Sequence, residues 1–140
     1  MLLVFAVNSL VCLAVVLIHH EMLIVLQRRA PHLRSPRHRV LFALVGTLLA
    51  HVAEIWVFGL VYYTCHYSTG LGGLAGNFDG SLLDSVYFSF SAYTTLGFGD
   101  IYPSGNLRFL SGLEALLGLV LIAWTASFLY IEMRQNWDKS

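Results

Sequence analysis

Charge is what this chain has least of. Only 11% of its 140 residues are Asp, Glu, Lys or Arg, and residues 40–107 contain no Lys or Arg at all. So few solvating groups cannot coat a water-soluble domain. With 57% hydrophobic residues and a mean hydropathy of +0.70, the composition places the chain in a membrane. Cysteine is scarce too: Cys12 and Cys65 lie in different segments and form neither a disulfide framework nor a metal signature. Proline occurs only at 31, 36 and 103, which leaves long stretches free to be helical. There is no G-x-S-x-G, no phosphate-binding loop and no zinc spacing, so no catalytic residues, no cofactor and no nucleic-acid partner are expected.

What charge there is sits unevenly. Arg28, Arg29, Arg34, Arg37 and Arg39 crowd one stretch, and Arg134 and Lys139 lie near the C-terminal end. The positive-inside rule makes 28–39 a cytoplasmic loop, with the N-terminus outside and a short tail, 135–140, in the cytoplasm. These arginines either touch anionic headgroups or serve only as a topology signal. Before them, residues 1–27 are long enough to cross about 30 Å of hydrocarbon. This segment lacks a basic n-region and a small-residue cleavage site, and reads as a retained span. Asn8 and His19-His20-Glu21 interrupt it, which puts its second half near the interface or against protein. A second span covers 40–64. A glycine-rich extracellular turret, expected to be flexible, covers 65–80. Ser81 is a candidate N-cap, with Asp84 three residues on, for a helix over 81–94 that is too short to cross a bilayer. A final span covers 106–134.

Between the short helix and the last span stands Thr94-Thr95-Leu96-Gly97-Phe98-Gly99-Asp100. For successive carbonyls to face one side, neighbouring residues must alternate between right- and left-handed backbone, and glycine adopts the left-handed form freely. Gly97 and Gly99 therefore permit a narrow strand of aligned oxygens. Several copies around an axis would stack oxygen rings that replace the water shell of a cation. A short helix aimed at the axis by its C-terminal end, with its partial negative charge, would favour that cation further.

This stretch resembles the selectivity filter of the potassium channel superfamily, usually TVGYGD and here Thr95-Leu96-Gly97-Phe98-Gly99-Asp100, with Leu for Val and Phe for Tyr. The resemblance runs over about 81–134: short helix, filter, Tyr102-Pro103, long apolar helix. It implies an all-α membrane protein of the small bacterial two-helix-pore type with one helix added in front. It also implies a homotetramer in which Thr95, Leu96, Gly97, Phe98 and Gly99 bind potassium as the permeant ion. Outer helix, turret, pore helix, filter and inner helix then fall at 40–64, 65–80, 81–94, 95–100 and 106–134. Asp100 closes the signature at the outer mouth. Where many relatives place an acidic or Trp partner for it, this chain has Ser91, so Tyr93, a neighbour or water is expected to brace it. Gly118, 19 residues after Gly99, stands near the inner-helix glycine of relatives and is read either as a gating hinge or as a packing notch. Leu119, Ile122, Ala126 and Tyr130 are the cavity-lining candidates.

Glu54 and Glu114 are acids inside spans, which cost several kcal/mol unless paired or wetted and so mark candidate function. His51 shares a helix face with Glu54 at i, i+3. With the lining above, about 100° per residue turns Glu114 away from the axis. Support behind the filter is the expectation, with Glu114 meeting Glu54, His51, Ser89 or Thr94, and with Thr94, Ser91 and Asp100 in the same shell. His19, His20, Glu21, His51 and Glu54 also suggest a metal site, but nothing in the sequence ties His19-His20 to His51. The function read from all this is passive potassium conduction. The alternatives are a non-selective monovalent cation channel and a poorly conducting modulatory subunit. No regulatory domain or voltage sensor is expected.

Overall fold

The computed structural model describes residues 2–33, 35–67 and 70–137, with backbone only at 3, 136 and 137. Arg34, Thr69 and residues 138–140 of the expected tail lie outside them. In chain order come α1 (Leu2–Arg29), a 3-10 turn (Ala30–His32), α2 (Pro36–Tyr67), β1 (Leu74–Gly76), α3 (Leu82–Tyr93), β2 (Ile101–Pro103) and α4 (Leu107–Trp137). Three of these helices are long and apolar enough to cross a membrane, and the chain is an all-α multi-pass membrane protein.

The basic loop is shorter than its composition suggests. Proline lacks a backbone N–H and is tolerated in a helix's first turn, where that donor has no partner anyway. Pro36 accordingly opens α2, so Arg37 and Arg39 are helical. Arg39 folds back and donates from Nε to the Leu33 carbonyl at 2.9 Å and from a terminal nitrogen to that of Pro31 at 3.1 Å. The α1–α2 turn is thereby closed.

The turret is likewise built rather than loose. β1 pairs antiparallel with β2, Ala75 opposite Tyr102, which ties residues 74–76 to the segment just after the glycine stretch. Gly76 takes φ +90°, and a Cβ there would fall 2.2 Å from the Asp100 carbonyl oxygen. At that point glycine serves close approach of two backbones.

α1 packs on α2 and α4, and α3 lies between α2 and α4. The core runs through Val11, Val15, Ile55, Phe58, Tyr62, Val86, Phe88, Tyr93, Leu110 and Leu121. Two glycine notches seat the short helix. At Gly59 of α2 a Cβ would lie 2.9 Å from the Val86 Cα, and at Gly118 of α4 it would lie 2.2 Å from the Tyr93 carbonyl oxygen. Helix association in lipid depends on such close packing, because apolar side chains gain little over lipid tails. The short helix is clamped near its middle and at its C-terminal end.

Candidate functional site

The N-terminus of α3 is fixed by hydrogen bonds from three residues. Ser81 Oγ accepts from the Asp84 N–H at 3.0 Å, Asp84 Oδ2 accepts from the Asp79 N–H at 2.9 Å, and Asp79 Oδ1 accepts from the Ser81 N–H at 2.7 Å. Two N–H groups of the helix start that lack intrahelical partners, those of Ser81 and Asp84, thus find side chains. Hydrogen bonding from Ser81, side chain and backbone, holds the Asp79 carboxyl below its ordinary pKa.

At the other end of α3 the backbone enters the glycine stretch. φ is +58° at Thr95, +59° at Gly97 and +80° at Gly99, so every second residue is left-handed. Nothing lies within 4 Å of a Cβ added at Gly97 or Gly99. Glycine is required there by the dihedral, not by space. Thr95 is the non-glycine with positive φ among the described residues, a conformation that costs an L-residue about 1–2 kcal/mol. The N–H groups point back to α3: Thr95 to the Ala92 carbonyl at 3.0 Å, Gly97 to that of Ser91 at 3.2 Å, Phe98 to Ser91 Oγ at 3.3 Å. Among the described residues no carbonyl from 95 to 99 accepts a hydrogen bond. The whole stretch is exposed on the single chain.

Ser91 therefore stands directly behind the strand and holds two of its amides. Asp100 is braced, but not by Tyr93. Tyr87, one helical turn nearer the N-terminus of α3 than Ser91, donates its hydroxyl to Asp100 Oδ2 at 2.8 Å, and its ring stacks on Phe98 at 6.3 Å with an interplanar angle of 3°. Tyr93 is unavailable because its ring turns inward. The sequence reading names Tyr93 and does not single out Tyr87.

Glu114, fully buried, meets neither Glu54 nor His51. Its two oxygens take Ser89 Oγ and the Tyr62 hydroxyl, both at 2.5 Å, and Ser89 Oγ also reaches the Ile55 carbonyl at 2.8 Å. Thr94 turns to the Phe90 carbonyl at 2.7 Å instead. Glu114 thus ties α4, α2 and α3 together at the level of the short helix.

Glu54 makes a second tie with a different set. His19 Nδ1 lies 2.9 Å from Oε1, His51 Nδ1 lies 3.3 Å from Oε2, and the Tyr93 hydroxyl donates to Oε2. His51 Nδ1 is 2.9 Å from the Tyr93 hydroxyl, and its Nε2 is 2.9 Å from Thr125 Oγ1. The expectation that nothing joins His19 to His51 is corrected: their rings are 5.2 Å apart. The signal was present as a stripe. Asn8, Val11, Val15, His19, Leu23 and Leu26 recur at helical spacing and are all buried, so His19 belongs to the packed face of α1. His20 and Glu21 are exposed and face each other at 3.5 Å, outside the cluster. Donor atoms of His19, His51 and Glu54 lie within 4.8 Å of one another, a geometry that admits a metal.

α4 divides cleanly. Leu110, Glu114, Gly118, Leu121 and Thr125 are buried, while Leu119, Ile122, Ala126 and Tyr130 share the exposed side. Ser127 bonds to its own helix through the Ala123 carbonyl at 3.0 Å. Packing against Tyr93 accounts for Gly118 without any bend.

No curated protein and no solved structure matches the chain. The model of the family described as ion channel matches residues 50–135, which contain the last part of α2, the turret, the short helix, the glycine stretch and nearly all of α4. Since that match spans more than half of the sequence, this chain belongs to the ion channel family.

Proposed function

We propose that four copies of this chain form a potassium-selective channel, with 95–99 as its filter. The observation that carries the reading is the backbone of that stretch. Left-handed dihedrals at alternate residues, amides turned back to α3 and carbonyls that accept no hydrogen bond among the described residues leave a row of oxygens for a dehydrated cation. Thr95, Leu96, Gly97 and Phe98 would supply the potassium sites. Asp100 with Tyr87, and Glu114 with Ser89, support that row from behind. Leu119, Ile122, Ala126 and Tyr130, on the free side of α4, would line the cavity below. The N-terminus faces outward and the arginines at 28–39 face the cytoplasm, as the positive-inside rule directs. Closure of the oxygen rings requires cyclic symmetry, and membrane lipid surrounds the assembly.

The test is cation flux from liposomes holding the purified protein. Potassium and rubidium pass while sodium and lithium do not, and Gly99→Ala, which forces a Cβ onto a left-handed residue, abolishes the flux. Equal sodium flux would make it a non-selective channel. Tetramers without flux would make it a modulatory subunit.

A further inference from the structure

Five side chains close on one another at the junction of all four helices. Glu54 Oε1 lies 2.9 Å from His19 Nδ1, and His19 Nε2 lies 3.4 Å from Thr125 Oγ1. Thr125 Oγ1 is 2.9 Å from His51 Nε2, His51 Nδ1 is 2.9 Å from the Tyr93 hydroxyl, and that hydroxyl donates to Glu54 Oε2. The five contacts form a ring.

Thr125 has one hydroxyl proton, so it donates to one imidazole and accepts from the other. With Tyr93 donating to Glu54 and both imidazoles neutral, the rest follows around the circle. The Glu54 carboxyl donates to His19 Nδ1, His19 donates from Nε2 to Thr125, Thr125 donates to His51 Nε2, and His51 donates from Nδ1 to the Tyr93 oxygen. Five bonds take five protons, no charge is separated, and no donor is left over. That suits a place where His19 and Glu54 are fully buried and an unpaired charge would be costly. A metal on the Nδ1 nitrogens would have to expel protons already in use, and no ring atom appears among the buried polar atoms without a partner.

We propose that His19 is a positioning residue of the filter: it closes this neutral ring and so makes the added first helix a working part of the pore. Tyr93 is the last residue of α3, its carbonyl lies under Gly118, and Thr94-Thr95 follow it directly. Without His19, Glu54 Oε1 and Thr125 each lose a partner, and the ring opens beneath the filter. The Trp124 ring, 5.3 Å from His19, covers the cluster from α4. The nearest other ionisable groups are Glu114, turned to Ser89 and Tyr62, and the exposed His20 across Trp124. The filter role rests on the channel reading. The ring itself does not.

Nitrogen NMR of histidine-labelled protein in lipid bilayers tests the ring with no substitution at all. His19 and His51 are expected as opposite neutral tautomers. The same tautomer in both, or an imidazolium, would overturn it. Glu54→Gln can donate to His19 and accept from Tyr93, so it should keep both signals and keep potassium flux within about twofold. His19→Phe keeps the bulk but opens the ring. It should release the His51 tautomer and lower flux or potassium-over-sodium discrimination by about 2- to 30-fold, the usual span for a residue coupled at a distance. Wild-type flux in His19→Phe would refute the positioning role. A stoichiometric cobalt(II) spectrum that disappears in His19→Phe would replace the ring by a metal centre. Wild-type protein that carries no cation would defeat the channel reading, and the filter role with it, while the tautomers alone decide the ring.

Discussion

Ser89 has one hydroxyl proton and two acceptor neighbours, the Ile55 carbonyl and Glu114. Both contacts become hydrogen bonds when Glu114 carries a proton and donates to Ser89, while Tyr62 donates to its other oxygen. A glutamine can do the same, giving N–H to Ser89 and accepting from Tyr62. Glu114→Gln should therefore shift thermal unfolding in detergent little, by under about 1 kcal/mol, whereas Glu114→Leu takes the acceptor from the buried Tyr62 hydroxyl, leaves Ser89 only the Ile55 carbonyl, and should cost about 1–3 kcal/mol. Equal losses from the two changes would show that the carboxylate charge matters. The acid itself was legible from the sequence as a costly group inside a span. Its partners were only half legible, because Ser89 and Tyr62 come from two other helices whose rotation no spacing reveals. Tyr87 is the simplest case at this scale. Its hydroxyl is the contact to Asp100, so Tyr87→Phe should loosen the filter's outer end and lower the potassium-to-sodium flux ratio in liposomes, with the fold unchanged.

Among the elements, α3 decides whether a filter exists, and it is held by close backbone contacts more than by its own twelve residues. Gly118 and Gly46 make the point together. A Cβ at Gly118 would lie 2.2 Å from a backbone oxygen of Tyr93, and at Gly46 it would lie 2.3 Å from the tip of Leu26. Backbone cannot step aside and a leucine tip can. Gly118→Ala should cost about 1–3 kcal/mol of overpacking and disturb flux, and Gly46→Ala should be much milder, both read by thermal unfolding and liposome flux. The N-terminal cap gives a further check. Ser81→Ala removes the acceptor for the Asp84 N–H and should cost about 1 kcal/mol. The Asp79 carboxyl, held below its ordinary value of 3.8, adds stability that is full above that pH and is lost as pH falls through its lower folded value. Unfolding midpoints of Asp79→Asn and wild type should thus differ at neutral pH and converge in strong acid. Here the sequence was a good guide. Ser81 as cap and the short helix after it were readable because caps act locally. The β1–β2 ribbon was not, since two three-residue strands separated by α3 and the glycine stretch carry no periodic signal.

For the molecule as a whole, the buried and exposed sides of α4 pose the question of assembly. Phe109, Leu116, Leu119, Val120, Ile122 and Tyr130 are exposed on the single chain, and so are Leu96 and Phe98 within the glycine stretch. Lipid can cover the outer surface of a span, but it cannot satisfy the carbonyls at 95–99, which accept no hydrogen bond among the described residues, because unpaired backbone at membrane depth is tolerated only against protein or a watery cavity. The arrangement makes physical sense when further copies complete that cavity. The single chain could be read as channel-like from seven residues, because dihedral demands act locally. The number of copies is not written in any one of them, and it entered the reading through resemblance. An ion bound between copies links the two questions. A cation that binds only the assembled filter stabilises the assembly by RT ln(1 + [ion]/Kd), about 2.7 kcal/mol at a hundredfold excess over Kd. Potassium in place of sodium should therefore raise the temperature at which the purified assembly dissociates in detergent, as read by native mass or gel mobility. Gly99→Ala should remove the difference between the two ions without unfolding α1, α2 or α4. A dissociation temperature indifferent to the ion in wild type would mean that 95–99 does not form a shared cation site, whatever the helices around it do.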